Sequence, residues 1–93
     1  MALEIIWSSE AKEDYRTAVD YLLDHFDDEV AERYTTNLFD ALETLSQMPY
    51  IGRKHTELSA VRQQIIRPYT VLFYMVLPTQ LVVINLRDAR QMK

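Results

Sequence analysis

The feature that most constrains the fold is a change in the spacing of apolar residues at Pro49. Residues 8–26 and 27–48 each carry one continuous apolar stripe with the period of an α-helix. Ser8 or Ser9 is suited to cap the first helix, and Asp27 or Asp28 the second. Because the connection between them is short, we predict an antiparallel helix hairpin. Pro49 ends it, since proline lacks an amide donor.

Four short apolar runs predict β-strands, at residues 3–7, 61–66, 69–77 and 81–86. The run 69–77 is nearly all apolar, as in a central strand covered on both faces. The last three strands are joined closely enough to be antiparallel neighbours. We therefore predict one α+β domain over residues 1–93, with the order β-α-α-β-β-β. Its helix hairpin packs on one face of a mainly antiparallel sheet. The pattern does not place the first strand.

The segment between the hairpin and the sheet, residues 49–54, is predicted to be a turn. It contains Gly52, the one glycine of the chain. Glycine is the residue that most readily adopts a positive φ angle, so we predict that conformation at Gly52.

The net charge of −4 conceals a division along the chain. Residues 1–48 carry twelve acidic and three basic residues, a net charge of −9. Residues 49–93 carry two acidic and seven basic residues, a net charge of +5. A basic half indicates contact with a negative partner, either nucleic acid or an acidic protein segment. The alternative is that these charges cover a solvated surface and affect only solubility.

The composition excludes several kinds of site and several classes of protein. The chain has no cysteine, which excludes disulfides and thiolate zinc sites. His25 and His55 alone do not make a metal site, so we expect no metal and no cofactor. The apolar run 71–77 is too short to span a bilayer. The N-terminal MALEIIW lacks the basic stretch of a secretory signal. We expect a cytoplasmic protein without membrane association.

Four motifs follow one another along the chain. IIWSSEAKEDYRTAVDYL joins a strand ending in an aromatic residue to the pattern A-x-x-D-φ, where φ is apolar or aromatic. LSQMPYIGRKH contains L-x-x-x-P-x-x-G-R, and VRQQIIRPYTVLFYMV contains φ-R-x-φ followed by Y-x-φ-φ-Y-x-φ. The fourth is the closing stretch RDARQ. In this order and spacing they resemble the RelE/ParE superfamily, the toxins of type II toxin–antitoxin systems, and in particular its ParE-like, plasmid-stabilisation branch.

The resemblance implies a toxin neutralised by a cognate antitoxin, whose flexible segment folds across the domain. ParE-like members poison DNA gyrase by protein contact, whereas RelE-like members are ribosome-dependent mRNA endonucleases. RNA-cutting members tend to be strongly basic, and many carry a histidine where this chain has Arg87 and Asp88. The acidic hairpin therefore favours the hypothesis that the toxin poisons DNA gyrase. We also expect no sequence-specific DNA binding. The alternatives are the endonuclease and a non-toxic relative that only binds its antitoxin.

Arginines are the main candidate site residues, because a guanidinium binds carboxylate or phosphate bidentately at any working pH. Arg67 and Arg87 are predicted to lie toward the same end of the sheet. Tyr69 is placed to contact a partner or stack on a base. The alternative for each is an ordinary exposed residue or surface ion pair. The predicted partner-binding set is Arg53, Arg62, Arg67, Tyr69, Arg87 and Arg90, and Arg62, Arg67, Arg87 and Arg90 would be the catalytic candidates of an endonuclease.

Three other groups of residues lie outside this set. Tyr74 is predicted to belong to the core, with its hydroxyl at the edge of the layer. His55 could act as a general base, since histidine changes charge near neutral pH, but the sequence shows no partner for it. The alternative of a catalytic carboxylate pair is not favoured for four acids of the first helix, since helical spacing places them mostly on its solvated side or in the first turns, where the helix dipole favours acids. They are Glu10, Glu13, Asp14 and Asp20.

Overall fold

The computed structural model describes residues 2–91. Two helices follow the first strand, and four further strands follow the helices. The elements are β1 (Glu4–Trp7), α1 (Ser9–His25), α2 (Asp28–Gln47), β2 (Arg53–Lys54), β3 (Val61–Ile66), β4 (Thr70–Val76) and β5 (Gln80–Asp88). Turns of 3₁₀ helix follow α2 at Pro49–Ile51 and β5 at Ala89–Gln91. The short strand β2 lies inside the segment that was predicted to be a turn.

Both helices begin at predicted caps. The side chain of Ser8 accepts a hydrogen bond from the amide of Ala11 at 3.0 Å. Asp27 accepts one from the amide of Val30 at 3.1 Å. Each bond satisfies an amide that the first turn of a helix leaves without a partner. The two helices that begin at these caps form a hairpin, as predicted.

The five strands form one sheet in the order β1-β5-β4-β3-β2. β1 pairs with β5 in parallel, from Glu4 opposite Gln80 to Trp7 opposite Val83. The other neighbouring pairs are antiparallel. The mainly antiparallel sheet is therefore confirmed. The first strand, which the sequence did not place, lies at the edge beside the last.

The core lies between the hairpin and one face of the sheet. Leu38 and Leu42 of α2 meet Leu72 of β4 and Leu81 of β5, and all four are essentially inaccessible to solvent. Burying a leucine side chain contributes about 1.5–3 kcal/mol, so this layer supplies much of the stability. The core cluster is completed by Ala11, Tyr34, Leu45, Ile66, Tyr74, Val83 and Leu86.

The other face of the sheet carries no helix in residues 2–91, so the second covering layer predicted for the central strand is absent from that region. Val71 and Phe73 point to this face yet are only 4% and 8% exposed. Neighbouring side chains cover them, and the ring of His55 lies 6.0 Å from that of Phe73. No helix among these residues is long and apolar enough to cross a membrane.

Candidate functional site

The sheet register divides the predicted site residues between two ends of the sheet. Arg62 pairs with Tyr74 near the start of β3, and on the neighbouring strand β2 Lys54 pairs with Arg62 and Arg53 with Gln63. At the other end, Ile66 pairs with Thr70, which in turn pairs with Asp88. Four positions along a strand separate the ends by about 13 Å. Arg67, Tyr69, Arg87 and Arg90 share the second end, as predicted for Arg67 and Arg87.

Arg62 fastens the segment that joins α2 to the sheet. Its Nη1 donates to the carbonyl oxygens of Gly52 at 2.8 Å and Tyr50 at 3.1 Å. Its guanidinium carbon lies 5.1 Å from the centre of the Tyr50 ring, within the range of a cation–π contact. The side chain is half-buried. Arg62 thus already serves the fold, whatever it also binds.

Tyr74 binds the same segment through its hydroxyl group. It is fully buried, and its hydroxyl donates to the carbonyl of Pro49 at 2.7 Å and accepts from the amide of Gly52 at 3.1 Å. Burial raises the pKa of this phenol above its ordinary value, so it stays protonated and able to donate. The predicted core role of Tyr74 is confirmed.

The predicted positive φ at Gly52 is wrong, because the residue has φ −68° and ψ 150°. The position requires glycine for a different reason. A Cβ atom there would overlap the Tyr74 hydroxyl and stand 2.8 Å from two carbons of the ring. The backbone therefore approaches an aromatic ring as closely as only glycine permits.

We expect Arg62→Gln to lower the free energy of unfolding by about 1–2 kcal/mol, because two carbonyl groups lose a charged donor. Arg53→Gln, on the exposed neighbouring strand, should change it by less than about 0.5 kcal/mol. Urea denaturation of the two variants measures the difference. Equal effects would show that the bonds of Arg62 do not stabilise the turn.

At the second end of the sheet, Arg90 is held between an aromatic ring and a carboxylate. Its guanidinium carbon lies 4.2 Å from the centre of the Tyr69 ring. Its Nη2 and Nε donate to the two carboxylate oxygens of Asp88 at 2.7 and 3.1 Å. The hydrogen bond from Arg90 lowers the pKa of Asp88, so this carboxylate stays ionised. The guanidinium is thereby fixed in one orientation at the surface.

The neighbouring Arg87 is held more loosely. Its Nη2 lies 3.4 Å from Glu10 Oε2, which also accepts from Asn85 Nδ2 at 3.0 Å. Arg67 is exposed. Exposed ion pairs of this kind contribute only about 0–1 kcal/mol, so a partner can replace them at little cost.

Ser8 and Asp14, at the start of α1, bind backbone groups of β5 at and beside a β-bulge. One extra residue, Ile84, is inserted opposite the step from Phe73 to Tyr74. Such a bulge leaves backbone groups without strand partners. Ser8 Oγ donates to the carbonyl of Ile84 at 2.5 Å, and Asp14 accepts from the amide of Leu86 at 3.0 Å.

Glu10 is 55% exposed and lies in the first turn of α1, as predicted, but it also accepts a hydrogen bond from Asn85. Asp14 is half-buried and binds the amide of Leu86, a role that the prediction did not include. Both bind groups of β5 that are more than 70 positions away in the sequence. An acid in the first turns of a helix has the same local pattern in either case, so nothing in the sequence distinguishes the two.

A groove of about 510 Å³ opens between the hairpin and this end of the sheet. Sequence reasoning found its arginines and Tyr69 on the sheet side, but not Tyr21, Arg33 and Tyr34 on the helix side. Those three occupy ordinary positions of amphipathic helices, and only the folded hairpin turns them toward the sheet. The lining residues include Leu22, Val30, Pro68, Leu86, Arg87, Asp88 and Arg90.

His55 lies elsewhere and serves a turn. Its Nδ1 accepts from the amides of Glu57 at 3.1 Å and Leu58 at 3.2 Å. Near the strand-end arginines, the carboxylates of Glu10 and Asp88 are each paired with a guanidinium, and that of Asp14 binds the amide of Leu86. Residues 2–91 contain no group of three side chains suited to hold a metal ion. The arrangement is suited to bind an anionic or polar partner.

Comparison with solved structures shows the same fold in toxin–antitoxin proteins. A chain of the chromosomal ParDE toxin–antitoxin system from P. aeruginosa superposes with a TM-score of 0.78 at 15% identity, covering 94% of this chain and 96% of that one. A chain of the RelBE2 toxin–antitoxin complex from Mycobacterium tuberculosis gives 0.68 at 15% identity, with 95% and 99% covered. YafQ from E. coli gives 0.56 at 17%, with 95% and 94% covered.

These identities are low, and the structural likeness establishes the fold. No curated protein matches the sequence. The sequence profile of the family described as "ParE toxin of type II toxin-antitoxin system, parDE" matches residues 5–92. That match includes both helices, every strand except the first residue of β1, and all the strand-end arginines. The chain therefore belongs to the ParE toxin family of type II toxin–antitoxin systems, within the RelE/ParE superfamily.

Proposed function

We propose that this toxin inhibits growth by poisoning DNA gyrase through protein contact, and that a cognate antitoxin neutralises it. The observation that carries the proposal is the state of the strand-end arginines. Arg87 and Arg90 face carboxylates at the surface, in an arrangement that can exchange one anionic partner for another. This is the chemistry of a binding surface.

RNA cleavage requires more than cationic side chains. It needs an acid and a base beside the reacting 2′-hydroxyl and leaving oxygen. In the described residues, Tyr74 is buried and bonded to the turn, and His55 Nδ1 is occupied by two amides. Arg62, which pairs with Tyr74 across β3 and β4, already donates to two carbonyl groups. The strongly acidic hairpin would in addition repel ribosomal RNA.

The antitoxin part of the proposal is supported by the relatives. The similar chains of P. aeruginosa and M. tuberculosis come from a ParDE system and a RelBE2 toxin–antitoxin complex. The endonuclease alternative retains one argument, since Arg67, Arg87 and Arg90 together could stabilise the charge of a phosphorane.

The test is inducible expression in a bacterial host, with gyrase activity and messenger integrity measured in parallel. We expect growth arrest, loss of supercoiling by purified gyrase in the presence of the protein, and intact messages. Arg87→Gln should weaken gyrase inhibition by about tenfold, as loss of one interfacial charge does. Arg16→Gln, at an arginine on α1 that is also exposed and ion-paired, should leave it unchanged. Ribosome-dependent cleavage of messages with gyrase unaffected would establish the endonuclease instead.

A further inference from the structure

The groove at the strand end combines an apolar floor with aromatic edges. Leu22 and Val30 are half-buried, and Tyr34 and Leu86 are buried in its floor. Tyr21 and Tyr69 are large aromatic side chains that nonetheless remain 49% and 48% exposed. The volume of the groove lies within the range of about 300–1,000 Å³ that is typical of small-ligand pockets. It is large enough for a few side chains of a partner protein.

The charges that line the groove are not equally accessible. The side chains of Arg33, Arg87 and Arg90 are 63%, 54% and 57% exposed. Of the two acids, Asp88 is only 31% exposed and Asp14 is half-buried and accepts from the amide of Leu86. A molecule entering the groove therefore meets guanidinium groups first, and its complement is an anion beside an apolar group.

We propose that the groove receives a segment of the antitoxin in which a carboxylate side chain is next to a bulky apolar one. The apolar side chain packs between Tyr21 and Tyr69, and the carboxylate takes over the guanidinium of Arg90 from Asp88. This rests on the proposed function, because it names the surface at which the antitoxin neutralises the toxin.

The charge pattern favours a peptide over a nucleic acid. A continuous phosphate backbone would bring several negative charges past Asp14 and Asp88 and along the acidic hairpin, and like charges in contact are costly. A peptide carries its carboxylates singly and can place one opposite Arg90. Arg90 is pre-oriented by Tyr69 and Asp88, so little side-chain entropy is lost when the carboxylate is exchanged.

Titration calorimetry with the purified cognate antitoxin tests the assignment. We expect Arg90→Gln to weaken binding by about 10- to 100-fold, the range for one charge-assisted pair at an interface centre. Tyr69→Leu should weaken it by about tenfold through loss of the aromatic edge. Arg16→Gln, on the part of α1 beside Trp7 and Phe39, is the matched control and should bind like the wild type. Circular dichroism confirms that each variant is folded.

The Asp88→Asn variant distinguishes exchange of the carboxylate bound to Arg90 from a purely structural role of Asp88. If the antitoxin carboxylate replaces Asp88 on Arg90, removal of the competing charge should tighten binding by about threefold or more. If Asp88 only holds the site in shape, the variant should bind more weakly or equally, and the exchange is overturned. Equal affinities of Arg90→Gln and Arg16→Gln would overturn the groove assignment alone. Absence of binding by the wild type would overturn it together with the antitoxin part of the proposed function, while leaving the gyrase part to its own test.

Discussion

Replacing Gly52 with alanine should lower the free energy of unfolding by about 3 kcal/mol, the upper part of the range for overpacking a filled site. The added methyl group would overlap the hydroxyl of Tyr74, whose ring is fully buried and cannot swing away. Relief requires the turn to move, which breaks the bonds from Tyr74 to Pro49 and from Arg62 to Gly52. Urea denaturation followed by circular dichroism measures the loss.

A double-mutant cycle tests the mechanism. Tyr74→Phe alone should cost about 1–3 kcal/mol, because Pro49 loses its donor and the Gly52 amide its acceptor. In the double variant the hydroxyl that meets the new methyl group is gone, so its cost should be below the sum of the single costs by about 1 kcal/mol. Ile51→Ala, at an exposed neighbouring position, is the control and should cost little. Strictly additive costs would show that the overlap with Tyr74 is not what excludes alanine.

Replacing Asp14 with alanine should lower the free energy of unfolding by about 2 kcal/mol. The reason is that the amide of Leu86 loses its acceptor. The effect should be local as well as global. Hydrogen exchange at the Leu86 amide should accelerate more than exchange at amides of β3.

Glu13→Ala is the matched control for Asp14→Ala. Glu13 is the adjacent acid and forms an exposed pair with Arg16, which contributes about 0–1 kcal/mol. If the two alanine variants lose equal stability, the bond from Asp14 to β5 is not stabilising, and its position in the first turns of α1 accounts for its effect.

The division of charge along the chain becomes a division in space. The first half forms most of the helix layer, and the second half forms four of the five strands. The two layers meet at the groove, where Glu10 of α1 faces Arg87 of β5. At the groove the division is not complete, because the helices contribute Arg33 as well as Asp14 and the sheet side contributes Asp88 as well as Arg87 and Arg90. A partner is therefore recognised by how it matches charges of both signs.

The sequence by itself determined the features that depend on interactions between neighbouring residues. The helical stripes, the caps at Ser8 and Asp27, and the apolar strand runs depend on residues within a few positions of one another. Periodicity and short polar side chains report such contacts directly. The two-layer fold follows from them, because one hairpin stripe and one sheet face bury each other. The clustering of Arg67 and Arg87 at one end also followed, since the strand connections are short.

The tertiary structure decided whatever depends on distant residues. The bond between Tyr74 and Gly52 spans 22 positions and that between Leu86 and Asp14 spans 72. No local pattern marks either. The place of β1 is of the same kind, since a four-residue strand has no preference that names its neighbour. The separation of Arg62 from Arg90 and the groove with Tyr21 and Arg33 likewise arise only when hairpin and sheet pack. Burial and close approach set these roles, and both are properties of the assembled fold.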